Sequence, residues 1–349
     1  MPWVAQAQTV RLATWNAGLE RSGPGLVLQA LIRGDDPQIE AAVQVILRLD
    51  ADVLLLTGID YDHGLSTLAA LNDRLAERGG GYPYRFALAP NAGVPTGIDL
   101  DGNGRRGEAR DAMGWGRFSG AGGMALVSRL AVQTDGVRDF TPMLWRDLPG
   151  ALIPPDMDTA TLAVQRLSTT GHWDVPVTLP DGTALHLLAW AATPPVFDGP
   201  EDRNGRRNHD ETALWLRLLD GALPGGVPDQ FVILGDAKLD PVDGEGRTEA
   251  IRSLLVHPMV QDTAPTNGRT GNDAGQRGDP ALDTADYGDG VGALRVDYVL
   301  PSANLVVHGS GILWPQGQDQ FAPLLAAASR HRPVWVDITV SMSALSASP

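Results

Sequence analysis

The sequence predicts an α/β protein built as one continuous domain. Apolar runs with strand character alternate with amphipathic helical stretches along the whole chain. Several of those runs stop at a polar residue followed by Gly or Pro, the pattern of a strand that delivers one side chain to a loop. The 349 residues, 43% of them apolar, suffice to bury a large core, either as one sandwich or as two smaller domains. Neither an internal repeat nor a linker divides the chain, which favours one domain.

Val10-Arg11-Leu12-Ala13-Thr14-Trp15-Asn16 alternates like a strand and stops at Asn16-Ala17-Gly18. Ile39 to Leu49 has helical spacing, with Ile39, Val43, Ile46 and Leu47 on one face. Val53 to Leu56 reads as a buried strand that ends at Thr57-Gly58-Ile59-Asp60. A second helix is predicted from Leu65 to Arg78, stopped by Gly79-Gly80-Gly81, followed by a long functional or ion-bound loop from Asn91 to Gly123. Further strands are predicted at Met124–Ser128, Leu185–Ala189, Phe231–Leu234, Val296–Leu300 and Val334–Ile338, with a helix at Thr212–Leu219. Residues 262 to 293, rich in Gly, Asp and Asn, read as a surface loop, and the tail from Ser341 as frayed.

Composition narrows the function classes. A formal charge of -15 argues against a sequence-independent grip on nucleic acid, which depends on Lys and Arg displacing counterions. Zero cysteines exclude disulfides, thiolate metal sites and a cysteine nucleophile. No apolar run is long enough for a membrane span. Residues 1 to 9 contain a small-x-small pattern like the end of a secretory signal, without its basic or apolar regions. They read as the remnant of an export signal or a disordered start; the first reading slightly favours the periplasm or the outside of the cell and leaves the cytoplasm open. The domain proper is then 10–340. Oligomeric state is not legible.

The most informative segment is Gly235-Asp236-Ala237-Lys238-Leu239-Asp240-Pro241, which holds the chain's only lysine. Other carriers are Ala13-Thr14-Trp15-Asn16, Asp52 to Leu56, and Gly116-Arg117-Phe118 with Gly122 to Arg129. The series continues with the block Thr193 to Glu211, Leu294-Arg295-Val296-Asp297-Tyr298-Val299-Leu300, and Ser329-Arg330-His331-Arg332. In this order the segments resemble the endonuclease/exonuclease/phosphatase superfamily, across nearly the whole chain. The resemblance implies the deoxyribonuclease-I-like fold, two packed mixed β-sheets flanked by helices in four layers, with the site at one end. It also implies metal-dependent phosphoester hydrolysis with Mg²⁺ or Mn²⁺ held against the phosphate.

By resemblance four roles find their residue: Asn16 supports the metal, Asp236 is the Asp of Gly-Asp-x-Asn, Asp297 orients the histidine, and His331 is that histidine. Each also has a plain reading, as turn residue, loop cap, ion-pair partner or buried polar group. Four roles do not. The metal-holding Glu falls on Gly58, with Asp60 the nearest carboxylate. An earlier His falls on Ala191, the Asn of Gly-Asp-x-Asn on Lys238, and the Asp of the terminal Ser-Asp-His on Arg330. Loss of a general acid or base costs ~10²–10⁴ in rate, and loss of a preorganised donor ~10²–10³.

The substitutions share a direction, since the site loses carboxylates and gains Lys238 and Arg330. One expectation is therefore a site that binds a phosphorylated small molecule or other anion, with turnover impaired or lost and the scaffold kept as a binding module. A second is that Lys238 pairs with Asp236 or Asp240 and plugs the site. A third is a working hydrolase that recruits Asp60 with Asp240 or Asp243 as replacement metal ligands.

Three other groups need placing. Asp99, Asp101 and Asn103, at alternate positions before Gly104, resemble the first half of a Ca²⁺ loop, with Glu108 or Asp111 to complete a structural site; the alternative is an Asp/Gly-rich turn. Arg203, Arg206 and Arg207 lie in an expected loop near the site mouth, either clamping an anion or pairing with Asp198, Asp202 and Asp210. The remaining histidines offer no metal-ligand spacing, and the tryptophans read as core, with Trp190 placed to fill the volume left by the missing histidine at Ala191.

Overall fold

The computed structural model describes residues 7–271, 273–288, 290–315 and 319–341. In chain order the strands and helices are β1 (Ala7–Leu19), α1 (Leu26–Arg33), α2 (Pro37–Leu49), β2 (Val53–Ile59), α3 (Ser66–Ala76), β3 (Tyr84–Phe86) and β4 (Gly123–Ser128). They continue with β5 (Arg138–Asp139), α4 (Thr159–Val164), β6 (Gly171–Thr178), β7 (Ala184–Ala191), α5 (Arg203–Leu219) and β8 (Phe231–Asp236). The last are α6 (Glu249–Leu255), β9 (Ala285–Asp286), β10 (Ala293–Leu294), β11 (Asp297–Pro301), β12 (Val306–Ile312), α7 (Ala322–Ala328) and β13 (Val334–Ser341).

These form a six-stranded sheet in the order β12-β13-β1-β2-β4-β3, a five-stranded sheet in the order β11-β8-β7-β6-β5, and a short β9-β10 ribbon. Strand alternation then builds the layers. Val10 and Leu12 of β1, Leu55 of β2, Leu187 and Ala189 of β7 and Leu234 of β8 share the core between the sheets. The opposite faces of the same strands, such as Trp15, Leu54 and Leu56, pack under α1, α2 and α3, while Leu188, Trp190 and Ile233 pack under α5 and α6. The expected two-sheet, four-layer sandwich is what forms.

Most predicted helices and strands lie inside observed elements, but Leu65 to Arg78 overruns α3 at both ends and Val296 precedes β11, while β3, β5, β6, β9, β10, β12, α1, α4, α6 and α7 have no counterpart in the prediction. In α2, Pro37 occupies the first turn and Asp36 caps it by accepting from the amides of Gln38 and Ile39 at 3.0 and 3.1 Å. Leu47 is only partly buried there and Val45 takes its place in the core. Residues 7–9 belong to β1 and residue 341 to β13. The rest of the start and tail expectations, residues 1–6 and 342–349, lies outside the described residues. The larger correction is α5, which begins at Arg203 rather than Thr212. Its first turns carry Arg, Asn and Asp, a polar composition that reads as loop; buried Arg207, Asn208, Asp210 and Glu211 find their partners inside the protein instead.

Candidate functional site

Three of the expected residues meet because strand alternation continues past the apolar core. Asn16 follows Val10, Leu12 and Thr14 on the inner face of β1; Asp236 follows Val232 and Leu234 in β8; Asp297 precedes Val299 in β11. Asp297 and Asp236 are register partners, and Ala191 is the partner of Asp236 on the other side. The inter-sheet layer therefore ends in a polar floor.

His331 joins this floor from the turn before β13. Its Nδ1 is 2.8 Å from Asp297 Oδ2, while its own amide donates to Ser329 Oγ at 3.0 Å, and Ser329 Oγ donates to the Asn16 carbonyl at 2.7 Å. Trp15 Nε1 donates to the His331 carbonyl at 3.1 Å. Asp297 is positioned by Thr284 Oγ1, which accepts from its amide at 2.9 Å. Burial pushes the Asp297 carboxyl up to about 6. Burial works against the His331 cation, yet Asp297 and Asp236 outweigh it and raise its pKa above the ordinary value. An Asp-oriented histidine that holds a proton over a cleft is suited to hydrogen-bond an anion.

The half of the site that the resemblance assigns to a metal departs from the expected arrangement. Asn16 Nδ2 donates directly to Asp236 Oδ2 at 2.9 Å, so the two expected metal-supporting groups are bonded to each other. Gly58 has φ +61°, and a Cβ built on it would overlap Asn16 Oδ1. The β1–β2 and β2–β4 registers both shift at this point. The Glu of the family pattern is thus absent as a side chain, and the backbone that would carry it is bulged.

Asp60 does not replace it. Its carboxylate accepts from the Arg21 amide at 3.0 Å and the Gly122 amide at 3.1 Å, tying loops together. Asp240 accepts from the amides of Val242, Asp243 and Arg295, and Asp243 pairs with Arg277. Among the described residues, the group near the cleft able to share an ion is Asp236, Asp297 and His331, whose ligand atoms lie within 4.8 Å of one another. Two of those three are already bonded to each other. The residues present do not fit the family's cation arrangement.

The two new cations stand free. Lys238 has φ +49°, donates its amide to Asp236 Oδ1 at 3.1 Å, and makes no ion pair among the described residues, so it does not plug the site through Asp236 or Asp240. Its charge bears on His331. Arg330 is exposed and likewise unpaired among the described residues, and its charge bears on Tyr287. A cleft of about 520 Å³ opens beside Arg330, lined by Asn16, Arg330 and His331 together with Glu20, Arg21 and Asp36. Arg21 is occupied by Asp36 at 2.9 Å, leaving Arg330 as the free cation on that wall among the described residues.

Arg203 and Arg206 are not brought to this cleft. Arg203 donates to the Leu100 carbonyl and to Gln165 Oε1, Arg206 to the Glu201 carbonyl at 3.2 Å, and Arg207 to the carbonyls of Leu167, Met113, Arg166 and Ser168. Arg203 and Arg207 fasten the long 91–123 loop to α5. Nor do they pair with the expected acids: Asp202 pairs with Arg247, and Asp210 accepts from Trp145 Nε1 and the Leu152 amide. Trp190 does not fill the space at Ala191, because adjacent strand residues face opposite ways and its ring lies in the core under α5. In the 91–123 loop, Asp99, Asp101 and Asp111 come within 4.8 Å of one another. Asn103 turns its amide nitrogen to Asp101 and Glu108, and Asp99 accepts from the amides of Gly102 and Gly104, which is the bonding of an Asp/Gly turn.

Residues without a sequence signal are Glu20 and Ser329, which line the cleft, and Tyr287 and Thr284, which contact His331 and Asp297 behind it. All four sit in loops that only the tertiary fold brings together.

Comparison with known proteins follows the same lines. A family model described as "Endonuclease/Exonuclease/phosphatase family" matches residues 13–331. An endonuclease/exonuclease/phosphatase from Beutenbergia cavernae superposes with a TM-score of 0.56 at 17% identity, covering 95% of this chain and 72% of its own. A family protein from Bacteroides thetaiotaomicron gives 0.52 at 12% identity, covering 97% of each chain. One from Leptotrichia buccalis gives 0.52 at 12%, covering 94% of this chain and 99% of its own. No curated protein matches the chain by sequence.

Proposed function

We propose that this chain, which belongs to the endonuclease/exonuclease/phosphatase family, binds a phosphate-type anion in its cleft and has lost most or all of the family's metal-dependent phosphoester hydrolysis. The observation that carries the reading is the closed bond between Asn16 and Asp236 beside Gly58. A cation there would have to break that bond and would find no third carboxylate on β2. What a metal would supply is charge against phosphate oxygens. Lys238 and Arg330 supply positive charge near the same histidine without one. The ligand this chemistry suits is a phosphorylated small molecule, since the chain's net charge of -15 disfavours a polyanion.

A second reading has one observation in its favour. Glu20 is exposed in the same cleft as Asn16 and His331 and makes no ion pair among the described residues. It offers a carboxylate from β1's end in place of the one missing from β2, which would leave a slow hydrolase.

One experiment separates the two. Hydrolysis of activated phosphomonoesters and phosphodiesters is measured with Mg²⁺, Mn²⁺ and Ca²⁺, beside binding of inorganic phosphate by calorimetry, for the native protein, Asp236→Ala and Lys238→Ala with Arg330→Ala. Phosphate binding without metal, weakened at least tenfold in the double variant and unaccompanied by hydrolysis, is the expected outcome. Metal-dependent turnover abolished by Asp236→Ala would overturn it in favour of the Glu20 reading.

A further inference from the structure

We propose that the Tyr287 hydroxyl, packed against His331 at the wall of this cleft, is a ligand-contacting group that forms with His331 Nε2 a pair of donors for one oxygen of a bound phosphate. The inference rests on the anion-binding reading and assigns it a residue that the family-pattern positions do not include.

Tyr287 is held in place by the chain around it. Ala285 bridges to His331, and the Asp286 amide donates to the Arg330 carbonyl at 3.0 Å, so the β9-β10 ribbon is stitched to the Arg330–His331 turn. The Tyr287 amide donates to the Gly292 carbonyl at 3.0 Å. The side chain therefore leaves a fixed point. Its ring stands edge-on to the imidazole, with centroids 5.8 Å apart and planes at 86°.

The hydroxyl is 3.4 Å from His331 Nε2, beyond the usual range for an O–H or N–H hydrogen bond. His331 Nδ1 is committed to Asp297, which leaves Nε2 as the nitrogen that faces the Tyr287 hydroxyl. When Nε2 carries a hydrogen, the phenol can only accept it and keeps its own hydrogen unspent. No other acceptor takes the Tyr287 hydroxyl among the described residues. Burial, reinforced by Asp236 and Asp297, pushes the phenol well above its ordinary value, so the O–H is retained. Two donors at this spacing share an acceptor placed between and in front of them, and an oxyanion is the acceptor that gains most. The nearby carboxylates do not forbid it: Asp297 is paired with His331, and Asp236 is already bonded by Asn16 and by the Lys238 amide. The unpaired Arg330 charge also acts on Tyr287.

The test is Tyr287→Phe, which keeps the ring against His331 and removes only the hydroxyl. Inorganic phosphate is titrated into the native protein and the variant by calorimetry, and the His331 ring nitrogens are followed by ¹⁵N NMR at constant pH. The expected result is native binding that weakens about tenfold or more in Tyr287→Phe, with the Nε2 resonance of His331 moved and the Nδ1 resonance little changed. Equal phosphate affinity in both proteins overturns the role of Tyr287 and leaves the anion reading standing. Absence of phosphate binding in the native protein overturns the anion reading, and this inference with it.

Discussion

At position 58 the backbone holds a left-handed conformation that glycine adopts freely and a side chain would strain. A residue in the left-handed region costs an L side chain ~1–2 kcal/mol relative to glycine, and here the added atoms also meet Asn16 Oδ1. Gly58→Ala is expected to lower unfolding stability by about 2 kcal/mol in urea titration. Asn16→Ala should remove the overlap but not the backbone cost, so the double variant should be less destabilised than the sum of the singles. Strict additivity would show that Asn16 does not occupy the space of the missing Glu. Lys238 shows the same physics from the other side. It adopts φ +49°, a conformation that Asn tolerates better than Lys, so the Asn of the family pattern suits this backbone and the present Lys strains it.

Among elements, α5 holds the site end of the second sheet in place through one buried carboxylate. Glu211 Oε1 accepts from the Thr169 amide at 2.5 Å and Oε2 from the Thr193 amide at 2.6 Å, so it links the entry to β6 with the exit from β7. Glu211→Ala leaves two buried amides without acceptors, each costing ~1–3 kcal/mol. The variant should lose about 3 kcal/mol or more in a urea midpoint experiment, and Glu211→Gln less, because one acceptor oxygen survives. A midpoint unchanged by Glu211→Ala would refute that linking role. Burial raises the Glu211 pKa above its unfolded value. Its contribution is therefore full at low pH and lost as pH rises through the folded value, and Glu211→Gln should flatten that slope. These elements also mark what sequence reveals. Strands β1, β2, β4, β7, β8, β11 and β13 were legible as apolar runs, whereas β3, β5, β6, β9, β10 and β12, short or interrupted by polar residues and glycine, were not; Asn16 and Asp236 stood out because each follows such a run, and Asp297 because it precedes one. The first turns of α5 were not, because burial of Arg207, Asn208, Asp210 and Glu211 depends on carbonyls and amides far away in sequence. Glu20 reaches the cleft, and Tyr287 reaches His331, through loops that carry no periodicity. The bulge at Gly58 was equally hidden, since a missing Glu in sequence does not reveal that Asn16 has taken its space.

Over the whole molecule, charge sets a narrow window of greatest stability. Burial pushes Asp283 up to about 6 and raises Asp60, Asp240 and Glu211 in the same direction. Groups with raised folded values bind protons more tightly when folded, so their stabilising contribution is lost as pH rises from about 4 through about 6. The opposite set is Asp36, Glu40, Asp62 and Asp243, where burial is outweighed by hydrogen bonds from Arg21, Gln44, the Thr67 amide and the Gly278 amide respectively. Their folded values are lowered, and their contribution is lost as pH falls below the ordinary carboxylate range. Between the two lies a maximum. A net charge of -15 at pH 7 and a pI near 4.7 steepen the decline on the alkaline side, because self-repulsion grows with pH and is screened by salt. Thermal unfolding should therefore peak near pH 5. Added salt should raise the midpoint at pH 7.5 and leave it nearly unchanged at pH 5. Asp283→Asn should reduce the fall between pH 4 and 6 without moving the acid limb. A midpoint that climbs steadily from pH 5 to 8, or that ignores salt at pH 7.5, would mean that the buried carboxyls and the surface charge do not govern stability together.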